Sequence, residues 1–264
     1  MSIIKDQLQR VIKLQGIPKR IVSLVPSQTE LLCDLGLEAA IVGITKFCVH
    51  PNHLLESKTS VGGTKQVHYD RIKALQPDII LCNKEENAKD MMAELERIAP
   101  VHCSDIYTLN DSLELIEMYG DIFQTIEASE CIIKDIKKSK AEFEEFIALK
   151  SLKTVAYFIW KSPWMVAANN TFINYMLTLN KLDNVYLHTS RYPEINVDAI
   201  ENTPDFVFLS SEPYPFNQNH INEVQSYFPK SKIILVDGEM FSWYGSRLIQ
   251  AFNYFKDLNG VLNC

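Results

Sequence analysis

The sequence predicts an α/β fold of two lobes, each with a central, mainly parallel sheet, joined by one long backbone helix. Three observations predict it. Short apolar runs alternate with helical segments on both sides of the chain's middle. A long helical segment with neither Gly nor Pro stands between them. A helix, Pro-Asp turn and strand pattern recurs about half a chain later, which reads as an internal repeat. At 264 residues, 47% hydrophobic and 22% charged, the chain can bury a full core without disulfides or metals.

The elements follow in order. Ile21 to Leu24 is a buried strand ending at Pro26. Ser27-x-x-Glu30 has the form of a capping box, so Thr29 to Leu37 reads as a helix closing near Gly36. Ile41 to Ile44 is a strand, Tyr69 to Leu75 a short helix, and Ile79 to Cys82 a strand after the turn Pro77-Asp78. Asp90 to Ile98 is helical, Val101 to Cys103 is a strand, and Asp111-x-x-Glu114 caps a helix running to about Phe123. Ile126 to Leu149 reads as a single helix of roughly 35 Å at 1.5 Å per residue, with Ile126, Ile133, Ile136, Phe143 and Ile147 apolar. Beyond it, Val155 to Ile159, Phe206 to Leu209 and Lys232 to Val236 read as strands. Asn170 to Leu179 and Ser246 to Leu258 read as helices. The repeat matches Asp70-Arg71-Ile72, Pro77-Asp78 and Ile79 to Cys82 with Asp198-Ala199-Ile200, Pro204-Asp205 and Phe206 to Leu209. The expected domains are residues 1–125, the helix 126–150, and residues 151–264.

A net charge of -7 argues against a nucleic-acid binder, which needs a basic stripe. The six cysteines, 33, 48, 82, 103, 131 and 264, form no C-x-x-C pair. Scattered thiols of this kind fit a reducing compartment. No run of 18 apolar residues suggests a membrane span. Lys5, Asp6 and Arg10 stand where the apolar core of an export signal would fall. The sequence as it stands is therefore expected to be cytoplasmic, or periplasmic if a leader has been removed. The G-x-S-x-G, G-x-G-x-x-G, P-loop and H-E-x-x-H patterns are absent, and no nucleophile and base announce themselves.

The chemistry-bearing candidates lie after strands, where ligands of open α/β sheets sit. Trp160 and Trp164 flank Lys161 and Pro163; Arg191-Tyr192, Tyr214-Pro215-Phe216 and Trp243-Tyr244 fall in predicted loops. Flat side chains gathered there suit a large flat ligand oriented by a few polar groups. Asn83 ends the Ile79 strand and is a further pocket candidate, against the bland reading of a solvated turn. Phe47-Cys48-Val49-His50, with His53 beyond, offers soft and borderline donors. Cys48 and His50 are read as metal ligands, as pocket wall or as plain packing.

At these residues the chain resembles the class III, helical-backbone substrate-binding proteins of ABC importers for vitamin B12 and ferric siderophores. Pro18-Lys-Arg-Ile-Val-Ser-Leu-Val-Pro-Ser-Gln-Thr-Glu30 is similar to that family's opening, followed by Leu35-Gly36 and Val42-Gly43. The likeness extends over nearly the whole chain. It implies a protein without intrinsic cofactor or catalysis that clasps a metal chelate, such as cobalamin, a ferric siderophore or haem, between two lobes. Loop positions matching the family's ligand contacts are Phe47, Asn83, Trp160, Trp164, Tyr192, Trp243 and Arg247, and His50 beside Phe47 is a ligand-contact candidate from its own loop. Arg191, Lys161 or Arg247 would meet peripheral carboxylates or amides. Asp70 and Asp198 match the surface carboxylates that dock on a permease, and both also fit helix N-caps. Thr64 and Asn83 stand where the family has aromatics, which makes the first-lobe half of the pocket more polar. The resemblance implies a monomer and, given the stiff helix, little closure on binding. Two further readings stand beside it: a cytosolic carrier or sensor for the same ligands, and a metal-cluster oxidoreductase, which needs cysteines converging between the lobes, whereas Cys48, Cys82 and Cys103 all fall in the first and the second offers only Cys264.

Overall fold

The computed structural model describes residues 2–197 and 203–262. The chain packs as two units, one comprising Met1–Lys137 with Tyr244–Arg247, the other Lys138–Trp243 with Leu248–Cys264. The expected boundaries would isolate residues 126–150 as a separate helix. The packing instead divides that helix between Lys137 and Lys138 and returns four later residues to the first unit.

The first unit opens with an antiparallel hairpin of β1 (Ser2–Lys5) and β2 (Val11–Leu14) that sequence reading passed over. Its turn is built on Asp6, which is buried and accepts the amides of Leu8 and Arg10. The other Asp6 oxygen accepts the Arg10 guanidinium and the Cys103 amide, which fastens the hairpin to the sheet edge. Then follow β3 (Ile21–Ser23), α1 (Pro26–Asp34), β4 (Ile41–Ile44), α2 (Leu54–Ser57), β5 (Thr59–Ser60), α3 (Tyr69–Ala74), β6 (Ile79–Asn83), α4 (Lys89–Glu96), β7 (Val101–Ser104) and α5 (Leu109–Phe123). Strands β5-β4-β3-β6-β7, in that spatial order, make one parallel sheet. β3 and β6 are buried along their whole length, so both read as unbroken apolar runs rather than alternating ones. Val22, Leu24, Ile80, Cys82, Met91 and Leu95 form the core of one face. Gly43 in β4 leaves room for its neighbours, since a Cβ there would stand 2.7 Å from a Leu75 methyl and 3.1 Å from a Val61 methyl and would have to push both aside.

α6 (Ile126–Ile147) is the long helix, 22 residues and about 33 Å. Its buried stripe is Ile132, Ile136, Phe143 and Ile147. Ile126, expected on that stripe, is 46% exposed, and Ile133 is only partly buried. The corrected spacing of four, seven and four residues keeps to one face of a 3.6-residue helix.

The second unit contains β8 (Lys153–Trp160), β9 (Met165–Val166), α7 (Phe172–Leu179), β10 (Leu182–Asn184), β11 (Phe206–Ser210), α8 (Gln218–Tyr227), β12 (Lys232–Val236), α9 (Gly238–Ser242) and α10 (Leu248–Leu262). β10-β8-β11-β12 run parallel, and β9 pairs antiparallel with β8. The two Pro-Asp segments do the same work in their two units. Asp78 accepts the amides of Lys19 and Arg20 and so holds the entry to β3. Asp205 accepts the amide and hydroxyl of Thr154 and so holds the entry to β8.

Two expected caps are corrected. α1 begins at Pro26 with Val25 as N-cap and no side-chain cap bond, so Ser27 and Glu30 form no capping box. Proline tolerates the first helical position because its missing N–H would be unpaired there anyway. α5 is capped by Thr108 with Asp111, not by Asp111 with Glu114. Asp70 is likewise not a cap: His68 precedes α3, and Asp70 sits exposed in its first turn. Asp198 lies outside the described residues.

Candidate functional site

Each sheet reverses its winding once, between β3 and β6 in the first unit and between β8 and β11 in the second. The carboxyl ends of such strand pairs leave a crevice, because the following loops turn to opposite faces. The two crevices are filled differently.

In the second unit the crevice carries aromatics. Trp160 ends β8 and is 39% exposed. Tyr214, in the loop after β11, meets it edge to face at 5.6 Å, and the Tyr214 amide donates to the Ile159 carbonyl. Tyr214 also leans on Phe216 at 4.7 Å and reaches His220 through its hydroxyl. Trp164, expected beside Trp160 as a ligand contact, instead stacks on Phe216 at 6.1 Å and 7° and stands edge-on to Phe158. It belongs to the margin of the core, with Lys161 over its ring and paired to Glu223. Trp243 follows α9 as its C-cap. It is buried, and its indole N–H donates to Glu212 at 2.9 Å. Ser242 donates to the same Glu212 oxygen, and burial pushes the Glu212 carboxyl above its ordinary range despite both bonds. Tyr192 is half-buried in its loop with the Arg191 guanidinium 5.7 Å from its ring centre.

In the first unit the crevice is closed by a polar network that no sequence motif announced. Gln28 donates to Ser104 and to the Tyr244 hydroxyl and accepts from Tyr119. Asn83, expected as a ligand contact, is buried and spends its amide on Ser104 and its oxygen on the amides of Glu85 and Glu86. Asn87 closes the same loop by accepting from the Asn83 amide and donating to Leu24 and Thr64. Asn83 therefore shapes the loop rather than presenting its amide outward.

Arg247 is engaged internally in the same way. It is buried, and its guanidinium takes both Glu30 oxygens at 2.8 and 2.6 Å. Burial raises the Glu30 carboxyl, and Arg247 pulls against that shift. Cys48, read as a metal ligand, pocket wall or plain packing, lies in the interior of the first unit. It is fully buried, its thiol lies 3.1 Å from the Thr29 hydroxyl and 3.3 Å from that of Thr45, and burial raises it further from the thiolate. His50 is half-buried in the same loop. Among the described residues no three His, Cys, Asp or Glu side chains are placed to hold a metal ion. Cys82 and Cys103 lie in register on β6 and β7 inside the apolar core, so they offer no cluster site. Phe47 remains as the outward aromatic of this unit, 49% exposed beneath the Lys46 ammonium. Gly63 approaches it so closely that a Cβ would stand 3.3 Å from the ring.

With the two sheets and the crevices described, the profile of a known family matches residues 21–229. The chain belongs to the periplasmic binding protein family. As a periplasmic binding protein it is similar to a substrate-binding lipoprotein of an ABC transporter in Bacillus subtilis, at 24% identity over 94% of this chain and 82% of the relative. In structure it is similar to the periplasmic vitamin B12-binding protein of Vibrio cholerae, with a TM-score of 0.81 at 17% identity over 94% of this chain and 99% of the other. A periplasmic haem-binding protein of Pseudomonas aeruginosa gives a TM-score of 0.81 at 20% identity over 91% and 92%. At such identities the structural likeness establishes the shared fold of the class III binding proteins. No helix among the described residues is long and apolar enough to cross a membrane.

Proposed function

We propose that this periplasmic binding protein captures a metal chelate, either a corrinoid such as cobalamin or a ferric siderophore or haem, for delivery to an ABC-type permease. The observation that carries the reading is the exposed Trp160 ring, braced edge-on by Tyr214 at the β8–β11 crevice. A rigid aromatic held open to solvent costs hydrophobic free energy in the empty protein and returns it when a flat apolar ring covers it. That the relatives include binders of vitamin B12 and of haem supports the ligand class.

In this reading Phe47, His50, Trp160 and Tyr192 touch the ligand, with Trp164 behind them. Asn83, Trp243 and Arg247 act indirectly, by holding loops and backbone in place. Asp70, exposed on α3, and Asp198 dock on the permease. The protein works as a monomeric carrier outside the cytoplasmic membrane and has no catalytic step of its own. A cytosolic carrier of the same ligands is the second reading, favoured by the free thiols of Cys33, Cys48, Cys82, Cys103 and Cys131. A permease gene beside this one separates the two.

The test is titration with aquocobalamin, cyanocobalamin, haem and a panel of ferric siderophores, followed by tryptophan fluorescence and visible absorbance. Micromolar or tighter quenching by one chelate supports the reading. A spectral shift with aquocobalamin but not cyanocobalamin points to His50 as a cobalt ligand. Silence across the panel overturns it.

A further inference from the structure

The first 20 residues carry five basic side chains, Lys5, Arg10, Lys13, Lys19 and Arg20, against the single acid Asp6, a net of +4 in a chain of net -7, so the remainder carries -11. Arg10 is spent on Asp6 and Glu96 and Arg20 on the Leu75 and Gln76 carbonyls, which leaves Lys5, Lys13 and Lys19 as the outward charges of this segment. In the β1–β2 hairpin Ile3 stands opposite Lys13 and Lys5 opposite Val11. Residues paired across a ladder and two apart along a strand share a face, so Ile3, Lys5, Val11 and Lys13 form one outward checkerboard. The other face turns Ile12 and Leu14 inward, at 5% and 3% exposure. Ile3 and Val11 are 67% and 60% exposed, and Ile17, three residues past the end of β2, is 54% exposed. Lys5, Lys13 and Lys19 are exposed, and none joins an ion pair among the described residues. Two depressions adjoin this face, one of about 300 Å³ bounded by Leu14, Ile17, Pro18 and Pro100, the other of about 480 Å³ along Ile12, Lys13 and Val101.

We propose that the outward face of the N-terminal hairpin is a docking surface for an anionic lipid bilayer. Positive charge gathered on one face of an otherwise acidic protein complements negatively charged headgroups and orients the molecule toward them. The alternation of lysine with β-branched apolar residues argues for lipid over a protein partner. Protein interfaces exclude lysine from their centres, and here Lys5 and Lys13 occupy the centre. At a bilayer the same pattern is satisfied throughout: the lysine stems lie along the apolar surface with their ammonium groups among phosphates, while Ile3, Val11 and Ile17 enter the headgroup boundary.

The test is cosedimentation of the full chain with phosphatidylcholine vesicles, with and without phosphatidylglycerol. The surface predicts binding only to the vesicles containing phosphatidylglycerol, weakening steeply with added salt. Each of Lys5→Gln, Lys13→Gln and Lys19→Gln should lower partitioning about fivefold. The triple variant should not bind detectably, with its thermal midpoint unchanged. Ile3→Ser with Val11→Ser should weaken binding at unchanged charge. Equal binding to both vesicle types, no binding to phosphatidylglycerol, or full binding by the triple lysine variant would overturn the proposal. So would self-association in vesicle-free solution that Ile3→Ser with Val11→Ser abolishes, which would assign the face to a second copy of the chain.

Discussion

Glu30 and Arg247 lie 217 positions apart in the chain and meet as a bidentate pair with side chains 11% and 5% exposed. Removing one partner leaves the other charge buried, so Glu30→Ala should cost about 3–5 kcal/mol in urea unfolding. Arg247→Met in the same chain should return part of that loss, since both charges are then gone. If Glu30→Ala costs under ~1 kcal/mol, the pair does not hold the 244–247 segment in the first unit. His102 is a second residue whose weight comes from burial. It is fully buried on β7, edge-on to Tyr119 at 5.4 Å, and neither ring nitrogen has a hydrogen-bond partner among the described residues. Burial pushes its imidazole down from 6.5 to about 4, with Asp6 opposing and Arg10 reinforcing the shift. The folded-state value lies below the unfolded one, so the unfolded chain gains a proton that the fold refuses. Stability is therefore intact above pH 6.5 and falls as the pH drops toward 4, by roughly 2 kcal/mol at pH 5. Urea midpoints at pH 7 and pH 5 should converge in His102→Leu relative to the parent protein; an unchanged difference would remove His102 as the cause.

Among the elements, the strands and most helices were legible because buried parallel strands and helical stripes write their periods into the sequence. The caps were misread because Ser27-x-x-Glu30 and Thr108-x-x-Asp111 look alike locally, and tertiary partners decide between them. Arg247 claims Glu30, while the Asp111 carboxylate stays with the Thr108 hydroxyl and the Tyr107 and Thr108 amides. Thr108→Ala should therefore cost about 1 kcal/mol in thermal unfolding, and Ser27→Ala should cost less through capping. Equal losses at the two sites would restore the misread box. The Pro-Asp repeat was visible as a pattern, but its reason was not. Asp78 and Asp205 each hold the entry of a central strand from more than 50 residues away, and residue spacing carries no sign of that. For Asp205 the Thr154 backbone bond leads in lowering the carboxyl below its usual range. Its contribution is present near neutral pH and is lost as the pH falls through that depressed value.

At the scale of the whole molecule, the three tryptophans of the second unit divide into the exposed Trp160, the half-buried Trp164 and the buried Trp243. Trp160→Ala should weaken chelate binding by at least about tenfold, the share expected of one stacked aromatic. Trp243→Phe, which removes the bond to Glu212, should act first on stability and only weakly on affinity. Parallel isothermal titrations and melting curves check both. The reverse ranking would move the ligand contact from the β8 end to the 243 loop. The charge division is also a whole-molecule property: a composition of net -7 conceals a basic hairpin that only the fold presents as one face.

The sequence by itself determined the class of fold, the two sheets, the long helix and the family. The first three rest on apolar periodicity and on local turn chemistry, which neighbouring residues express in full, and the family on the likeness of Pro18 to Glu30 to its opening motif. Only the tertiary structure decided which candidate side chains face solvent. Trp160 and Trp243 both follow strands, yet Trp243 finds Glu212 and is buried while Trp160 is left open. Arg247 and Asn83 appear as binding groups along the chain and become internal ties once Glu30 and Ser104 arrive beside them. The physical reason is that a polar side chain is taken by whichever buried partner the fold delivers first, and those partners lie tens to hundreds of residues away.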